Sequence, residues 1–484
     1  MAADAPPPDR SALAASEQRT AAIVLAGGTA ARLGGTDKTR LEVAGATSLD
    51  RVLRVAPAAH RIVVGPEGTD GVELIERHGC RFVREDPPRS GPLAAVARGV
   101  EALPDALVED PRARVLVLAG DMPLLRSETL AALLLADPAG EQVVALEAPD
   151  GHLQYLCAAW PLPRLRAALD AVAHPDGGWA DLGMHRLYRA LGKGELRRLP
   201  ARGSEATDLD TPADVEAVRE AAGPRIALAQ VRITGHVPEN LATVRRAVEQ
   251  AAAAGARLVV LPEASLIAFG HDLREAAERH HGELVALLEE LAQRHGITVV
   301  AGSFTPADGA RVHNTLVVRG PGLATEYRKI HLYDAFGARE SDTVAPGEDL
   351  VTIDLDGTRL GLTTCYDVRF PAQFTALARR GAQAVLLPLA WGDGEGKVEQ
   401  LRLLLRARAL DATVAVLAAD QAPPPAHRGR APRGVGHSAV IGPLGQVRQE
   451  LGREEGMLLV DLDLAEVAAA RAAVPVLEHE RPLR

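Results

Sequence analysis

Aromatic side chains make up only 3% of the 484 residues, and positive charge is not in excess: 54 basic against 64 acidic residues leave a net charge of −10. A nucleic-acid surface needs a basic stripe, usually with rings on which bases stack, so the composition argues against that function class. Cysteine is scarce too. Cys80, Cys157 and Cys365 form no CxxC pair and no disulfide framework, as expected of a cytoplasmic protein. No apolar run approaches the ~20 residues of a membrane span. Residues 1–19 contain Pro6-Pro7-Pro8 but no apolar core segment, and read as a disordered tail rather than a signal peptide. Lysine occurs only at Lys38, Lys193, Lys329 and Lys397. Arginine therefore does most of the surface work, and a retained lysine invites a chemical explanation.

What is present is enough apolar material, 47% of residues, for two cores, and a length that predicts two or three domains. The densest chemical signal is Leu362-Thr363-Thr364-Cys365-Tyr366-Asp367-Val368-Arg369-Phe370-Pro371. Leu360 and Leu362 make the preceding run strand-like, and Pro371 opens a stretch in which Phe374, Leu377 and Ala378 recur at helical spacing. A thiol at such a turn is exposed beside backbone N–H groups. A lone cysteine is more often a small core residue. Two further residues weigh against that reading: Glu263 ends the run Leu258-Val259-Val260-Leu261-Pro262, and Lys329 follows Glu326-Tyr327-Arg328. Each lies just past a β-like segment, so the three are expected to meet at one edge of one sheet.

Glutamate, lysine and cysteine together support amide hydrolysis through a thioester. Glu263 would take the thiol proton and Cys365 would attack the carbonyl. Lys329 and the N–H of Tyr366 would hold the oxyanion. The lysine charge is also expected to favour thiolate over thiol. From about Arg225 onward the chain resembles the nitrilase (carbon–nitrogen hydrolase) superfamily, in particular its Nit-type ω-amidase branch, through "VVLPEASLIAFG", "YRKIHLYD", "ESDTVAPGEDL", "LTTCYDVRFP", "LLLRARALDATVAVLAAD" and "GHSAVIGPLGQV" in family order. The resemblance implies Glu263, Lys329 and Cys365 as catalytic residues and Glu340 as a second active-site glutamate that orients Lys329 and the substrate; Tyr366 and Arg369 are candidates to contact that substrate. It implies an αββα sandwich, no cofactor for this half, a small ω-amide as substrate, and a homo-oligomer formed through this domain. Two departures stand out: a short segment between Lys329 and Glu340, and Ala372 where the family usually has glutamate after "RFP".

The front half carries different motifs. A strand-like run, Ala22 to Leu25, enters the glycine-rich Ala26-Gly27-Gly28, followed by Arg32 and Lys38. Glycines let a backbone approach phosphates, and the two cations suit a triphosphate. The pattern is neither GxGxxG nor a P-loop. A second apolar run, Val115 to Ala119, ends at Gly120-Asp121, where open α/β sheets place ligands and where a carboxylate could hold Mg²⁺. In Asp208-Leu209-Asp210-Thr211-Pro212, Asp210 or Thr211 is expected to cap a helix opened by Pro212. With "SGPLAAV" and "DLDTPADV", these segments resemble the MobA-like nucleotidyltransferases, the molybdenum cofactor guanylyltransferase family. That resemblance implies a Rossmann-like fold, nucleotide contacts from Leu25, Ala26, Gly27, Gly28, Arg32, Lys38, Gly91 and Pro92, and Mg²⁺ on Asp121 and Asp208. It implies an NTP (GTP or CTP) and a phosphorylated, molybdopterin-like acceptor. The Asp208 position, often asparagine in guanylyltransferases, leaves the base open.

The expected organisation is therefore α/β throughout: a tail at 1–19, a Rossmann-like nucleotidyltransferase domain at 20–222 and a nitrilase-like sandwich at 223–484. Gly223-Pro224 reads as a helix stop and short linker. Asn240–Ala254 and Glu283–Arg294 read as helices, and Gln421–Arg433 as an exposed loop. His331 reads as structural. Two other functions fit the same residues: an amidase regulated by a non-catalytic nucleotide-binding domain, or nitrilase or N-carbamoyl hydrolase activity in the second half.

Overall fold

The computed structural model describes residues 18–27, 37–137, 139–175, 177–335, 337–424 and 431–481. The chain divides into two compact units, Met1–Ala221 and Ala222–Arg484.

In the first unit a seven-stranded sheet runs in the order Cys80–Val83, His60–Val64, Thr20–Leu25, Arg114–Ala119, Leu153–Pro161, Val143–Glu147 and Leu196–Pro200. The first four strands are parallel. Thr20–Leu25 and Arg114–Ala119 are continuous apolar runs because helices cover both faces. Strand order reverses between these two, which places their C-terminal ends at the point where such sheets take ligands. Pro92 opens the helix Pro92–Glu101, with Gly91 as its N-cap at φ 97°. At the close of the unit, Thr211 caps Pro212–Ala221: its hydroxyl accepts from Asp214 N at 3.2 Å while Asp214 Oδ2 accepts from Thr211 N at 2.7 Å.

The second unit begins without a linker. Strand Ala222–Gln230 starts immediately after the helix, and Gly223 and Pro224 are buried within it rather than forming the expected joint. The pairing with Gly456–Asp463 slips between Ala222 and Arg225, and such a bulge tolerates the proline, which has no N–H to give.

Two sheets face each other here. One runs Leu323–Arg328, Val312–Gly320, Thr298–Pro306, Leu258–Val260, Ala222–Gln230 and Gly456–Asp463, with Val344–Ala345 added beside Val312–Gly320. The other runs Thr352–Leu355, Thr358–Leu362, Ala384–Leu389, Ala415–Asp420, Ala439–Ile441 and Val447–Glu450. Alternation sorts their side chains: Ile226, Leu228, Val260 and Val300 face Leu360, Leu362, Leu386 and Leu417 across the inner layer. Ala227, Ala229, Val259 and Val299 point the other way, onto the helices Val237–Ala253 and Leu273–His295. The second sheet is backed by Pro371–Arg379 and Lys397–Ala412. The layers are helix, sheet, sheet, helix. Fully burying each of these valine, leucine and isoleucine side chains stabilises the fold by about 1.5–3 kcal/mol. Leu273–His295 starts ten residues before the predicted Glu283, because Asp272 caps it by accepting from Glu275 N at 2.8 Å. Among the described residues no helix is long and apolar enough to cross a membrane.

Candidate functional sites

Three segments of the second unit end at one cavity of about 450 Å³, whose lining includes Glu263, Lys329, Glu340, Cys365, Tyr366 and Arg369. Glu263 and Lys329 follow strands of the first sheet, Leu258–Val260 and Leu323–Arg328. Cys365 follows Thr358–Leu362 of the facing sheet. The expectation of a single sheet edge is thus corrected: the sandwich brings two edges together, and the three groups meet across them. Lys329 Nζ lies 2.9 Å from Glu263 Oε1 and 3.0 Å from Glu340 Oε2. Glu263 Oε2 accepts from the backbone N–H of Ala390 at 3.1 Å. The Cys365 thiol is within hydrogen-bonding reach of Glu263, and its sulfur is 3.9 Å from the Ala390 carbonyl oxygen.

Backbone geometry presents these groups. Cys365 has φ 46° and Ala264 φ 57°, values that a residue with a Cβ rarely adopts. A Cβ at Gly302 would fall 2.7 Å from the Glu263 carbonyl carbon, so only glycine allows the neighbouring strand to lie against the Glu263 turn. The cysteine turn is held by buried Asp367. Its Oδ2 accepts from Thr364 N at 3.0 Å and the Tyr327 hydroxyl at 2.6 Å, and its Oδ1 accepts from His331 N at 3.0 Å. His331 stacks on Phe370 with ring centres 3.6 Å apart and lies 2.9 Å from Asp367 through Nδ1, in keeping with a structural role.

Electrostatics corrects one expectation. Burial pushes the Cys365 thiol well above its usual range, Glu263 adds to that, and Lys329 opposes both. The ammonium does pull towards thiolate, but burial, helped by the Glu263 charge, outweighs it and keeps the thiol protonated. Burial likewise raises Glu263, against the pull of Lys329. Burial disfavours the Lys329 charge, but the Glu263 and Glu340 carboxylates outweigh it and hold the ammonium charged. The site sets a thiol that burial keeps protonated beside a glutamate whose pKa burial also raises.

Around this centre lie residues that sequence reading missed. Asn314 Nδ2 donates to Glu263 Oε1 at 2.8 Å and to Glu340 Oε1 at 3.2 Å. Asparagine is depleted in strands, so its place inside Val312–Gly320 was a readable signal. Gln421 Nε2 donates to the Glu263 carbonyl at 2.8 Å. Asp420, pushed by burial up to about 8, accepts from the N–H groups of Trp391, Gln421 and Val435, which favour its carboxylate form. The loop read as exposed is partly interior: Gln421 and Ala422 are buried, and Ala431 and Pro432 line the cavity. Residues 425–430 lie outside the described residues. Arg369 lies between two rings, its guanidinium carbon 5.8 Å from the Tyr366 centroid and 5.3 Å from that of Trp391. Its Nη2 donates to Gln400 at 3.1 Å, while its buried Nε has no hydrogen-bond partner.

The first unit holds a cavity of about 290 Å³ at its strand-order reversal, lined among others by Leu25, Gly27, Lys38, Gly91, Pro92 and Asp121. Ala26 is buried beside it, its N–H donating to the Val64 carbonyl at 2.8 Å. Lys38 pairs with Asp210 and lies 3.8 Å from Asp121. Asp210 thus serves the lysine, while Thr211 does the capping. Burial pushes Asp121 up to about 6, Lys38 opposes this, and Asp208 and Asp210 add repulsion. Leu209 N donates to the Asp121 carbonyl at 3.1 Å, tying the acidic segment to the strand end. Gly28, Arg32 and the tail through residue 17 lie outside the described residues. Among the described residues no group of three or more His, Cys, Asp or Glu forms a ready-made metal site. Two hard carboxylates that repel each other nevertheless fit Mg²⁺, which commonly takes one or two protein oxygens and completes its shell with phosphates and water.

Residues 225–472 match the carbon–nitrogen hydrolase family, and residues 22–193 match the MobA-like NTP transferase domain. Over 266 residues the chain is 48% identical to Hydrolase Rv0480c of Mycobacterium tuberculosis (strain ATCC 25618 / H37Rv), covering 53% of this chain and 95% of that protein. It is 35% identical over 266 residues to omega-amidase NIT2 of Homo sapiens, again covering 53% and 95%. Among solved structures it is similar to the NitFhit protein of C. elegans, with a TM-score of 0.50 and 29% identity over 54% of this chain and 65% of that one.

Proposed function

Because this chain belongs to the carbon–nitrogen hydrolase family and carries a MobA-like NTP transferase domain, we propose that it is a bifunctional enzyme. Its second half hydrolyses a small ω-amide of a carboxylic or keto acid to acid and ammonia. Its first half transfers a nucleotidyl group from an NTP to a phosphorylated acceptor. The observation that supports the hydrolase most strongly is the buried meeting of Glu263, Lys329, Glu340 and Cys365 in one cavity.

In the hydrolase, Glu263 takes the proton of Cys365 as the sulfur bonds to the amide carbonyl carbon. Lys329 and the Tyr366 N–H stabilise the oxygen that gains the negative charge. The C–N bond then breaks, Glu263 returns the proton to the departing nitrogen, and ammonia leaves a thioester. Glu263 next takes a proton from water, whose oxygen displaces the sulfur, giving the acid and the free thiol. Arg369 is suited to hold the carboxylate at the far end of the substrate, since its only polar partner among the described residues is the neutral Gln400. In the transferase half, Lys38 faces the phosphates and Asp121 with Asp208 would hold Mg²⁺. The ion would offset charge on the phosphates there.

A panel of ω-amides, nitriles and N-carbamoyl compounds, assayed for ammonia, tests the first activity. Pyrophosphate release from each NTP with candidate acceptors tests the second. Ammonia from ω-amides, lost in Cys365→Ala, is the expected result; unchanged release in that variant would falsify the thioester route. NTP binding without turnover would instead favour a regulatory front half.

A further inference from the structure

Two carboxylates, Glu263 and Glu340, converge on a single ammonium, Lys329, which leaves a net negative charge inside a buried site. A second donor relieves it. Asn314 is fully buried on the strand Val312–Gly320, and its Nδ2 reaches both glutamates, Oε1 of Glu263 at 2.8 Å and Oε1 of Glu340 at 3.2 Å. The same residue also fixes the lysine, since its carbonyl accepts from Lys329 N at 2.8 Å. Its amide oxygen, by contrast, is buried without a hydrogen-bond partner. Leaving a buried acceptor unpaired is unfavourable, so the amide is oriented for what its NH₂ does rather than for its own satisfaction.

We propose that Asn314 is a positioning residue whose side-chain NH₂, shared between the two glutamates, keeps Glu263 in the carboxylate form that takes the Cys365 proton. This rests on the reading of Glu263 as the base. A donor favours the charged form of the carboxylate it reaches, and a neutral donor does so while weakening it as a base less than a second ammonium would. A cation here would also compete with Lys329 for both glutamates. The groups facing Glu263 are Lys329 from the end of one strand, Glu340 from the turn Glu340–Asp342, Cys365 from the facing sheet and Asp420 from the end of Ala415–Asp420. Of these only Lys329 is a cation, so removing the asparagine donor leaves carboxylate repulsion to set the protonation of Glu263.

The test uses the full-length protein and iodoacetamide, with alkylation of Cys365 followed by mass spectrometry of its peptide across the acidic to neutral range. In the natural protein the rate rises through an acid limb set by Glu263. In Asn314→Leu that limb should move to higher pH by about one unit, a roughly tenfold loss of rate below it. Asn314→Asp has nearly the same shape but lacks the NH₂ and adds a third carboxylate, so its limb should move at least as far. On an ω-amide the same displacement should appear in kcat, with KM little changed. A limb that stays in place in either folded variant, with only the amplitude reduced, would overturn the proposal. Should Asn314→Leu fail to fold, Asn314→Asp decides alone. The displaced alkylation limb in a protein that hydrolyses no amide would support Asn314 and sink the amidase reading instead.

Discussion

The Tyr327 hydroxyl donates to Asp367 Oδ2 at 2.6 Å, and this one buried hydrogen bond joins the strand that delivers Lys329 to the turn that delivers Cys365. Tyr327 stands two residues before the lysine and Asp367 two residues after the cysteine. Gln373, on the helix behind the turn, donates to the same hydroxyl at 2.8 Å. Registration between the two sheets is therefore fixed two residues along the chain from both Lys329 and Cys365.

Tyr327→Phe keeps the ring and removes the hydroxyl, leaving an acceptor on Asp367, the Gln373 amide and the Ile330 N–H short of a partner. A loss of about 1–3 kcal/mol is expected, read as a lower denaturation midpoint with unchanged denaturant slope. Ammonia release should fall more than stability alone accounts for, because the cysteine turn loses its anchor.

Glu263→Gln retains the shape and can still contact Lys329, but cannot accept the thiol proton. Since burial keeps the Cys365 thiol protonated, kcat should fall by about 10²–10⁴-fold. In the natural enzyme, activity requires ionised Glu263, whose pKa is raised above the ordinary 4.5 by burial. Rate should therefore be lost as pH falls through a limb above that value. A limb below 4.5, seen in kcat/KM against pH, would contradict the assignment.

Asp121 gives a separate handle on the first unit. Its folded pKa of about 6 lies above the ordinary 3.8, so the folded state binds more protons than the unfolded one between those values. The linked stability is present at low pH and lost as pH rises through 6. Mg²⁺ should offset this at neutral pH and do little at pH values well below 6, where Asp121 is protonated. Calorimetry with and without Mg²⁺ checks the sign, and Asp121→Asn should abolish both effects.

Arg369→Met should raise KM for amides that carry a carboxylate by about tenfold or more, the worth of one charge-assisted hydrogen bond. Amides of similar length without the carboxylate should bind as before. Equal losses on both substrates, measured as kcat and KM separately, would assign Arg369 to packing between Tyr366 and Trp391 alone.

Much of the architecture was legible because its signals are local. Apolar runs before Glu263 and Asp121, and β-like segments before Lys329 and the cysteine turn, mark strands whose C-terminal ends open on the two cavities. Pro212 and Pro371 mark helix starts. What the sequence could not convey is tertiary. That Cys365 belongs to a different sheet from Glu263 depends on strand pairing between distant segments, and Gly223-Pro224 carries turn residues that a bulge absorbs into a strand. The pull of Lys329 on the Cys365 thiol has the expected direction, but burial, which depends on the whole fold, outweighs it. Asn314 and Asp367 were passed over for a related reason: a buried amide or carboxylate declares its purpose only when its partners are in view.

Gly302 illustrates how far this reaches. It bears no reactive atom, yet the Glu263 turn rests directly on it. Tolerance to replacement at 302 should resemble that of the nucleophile itself, so ranking positions by distance to substrate would overlook it, while a map of hereditary constraint would put it among the least forgiving sites in the hydrolase.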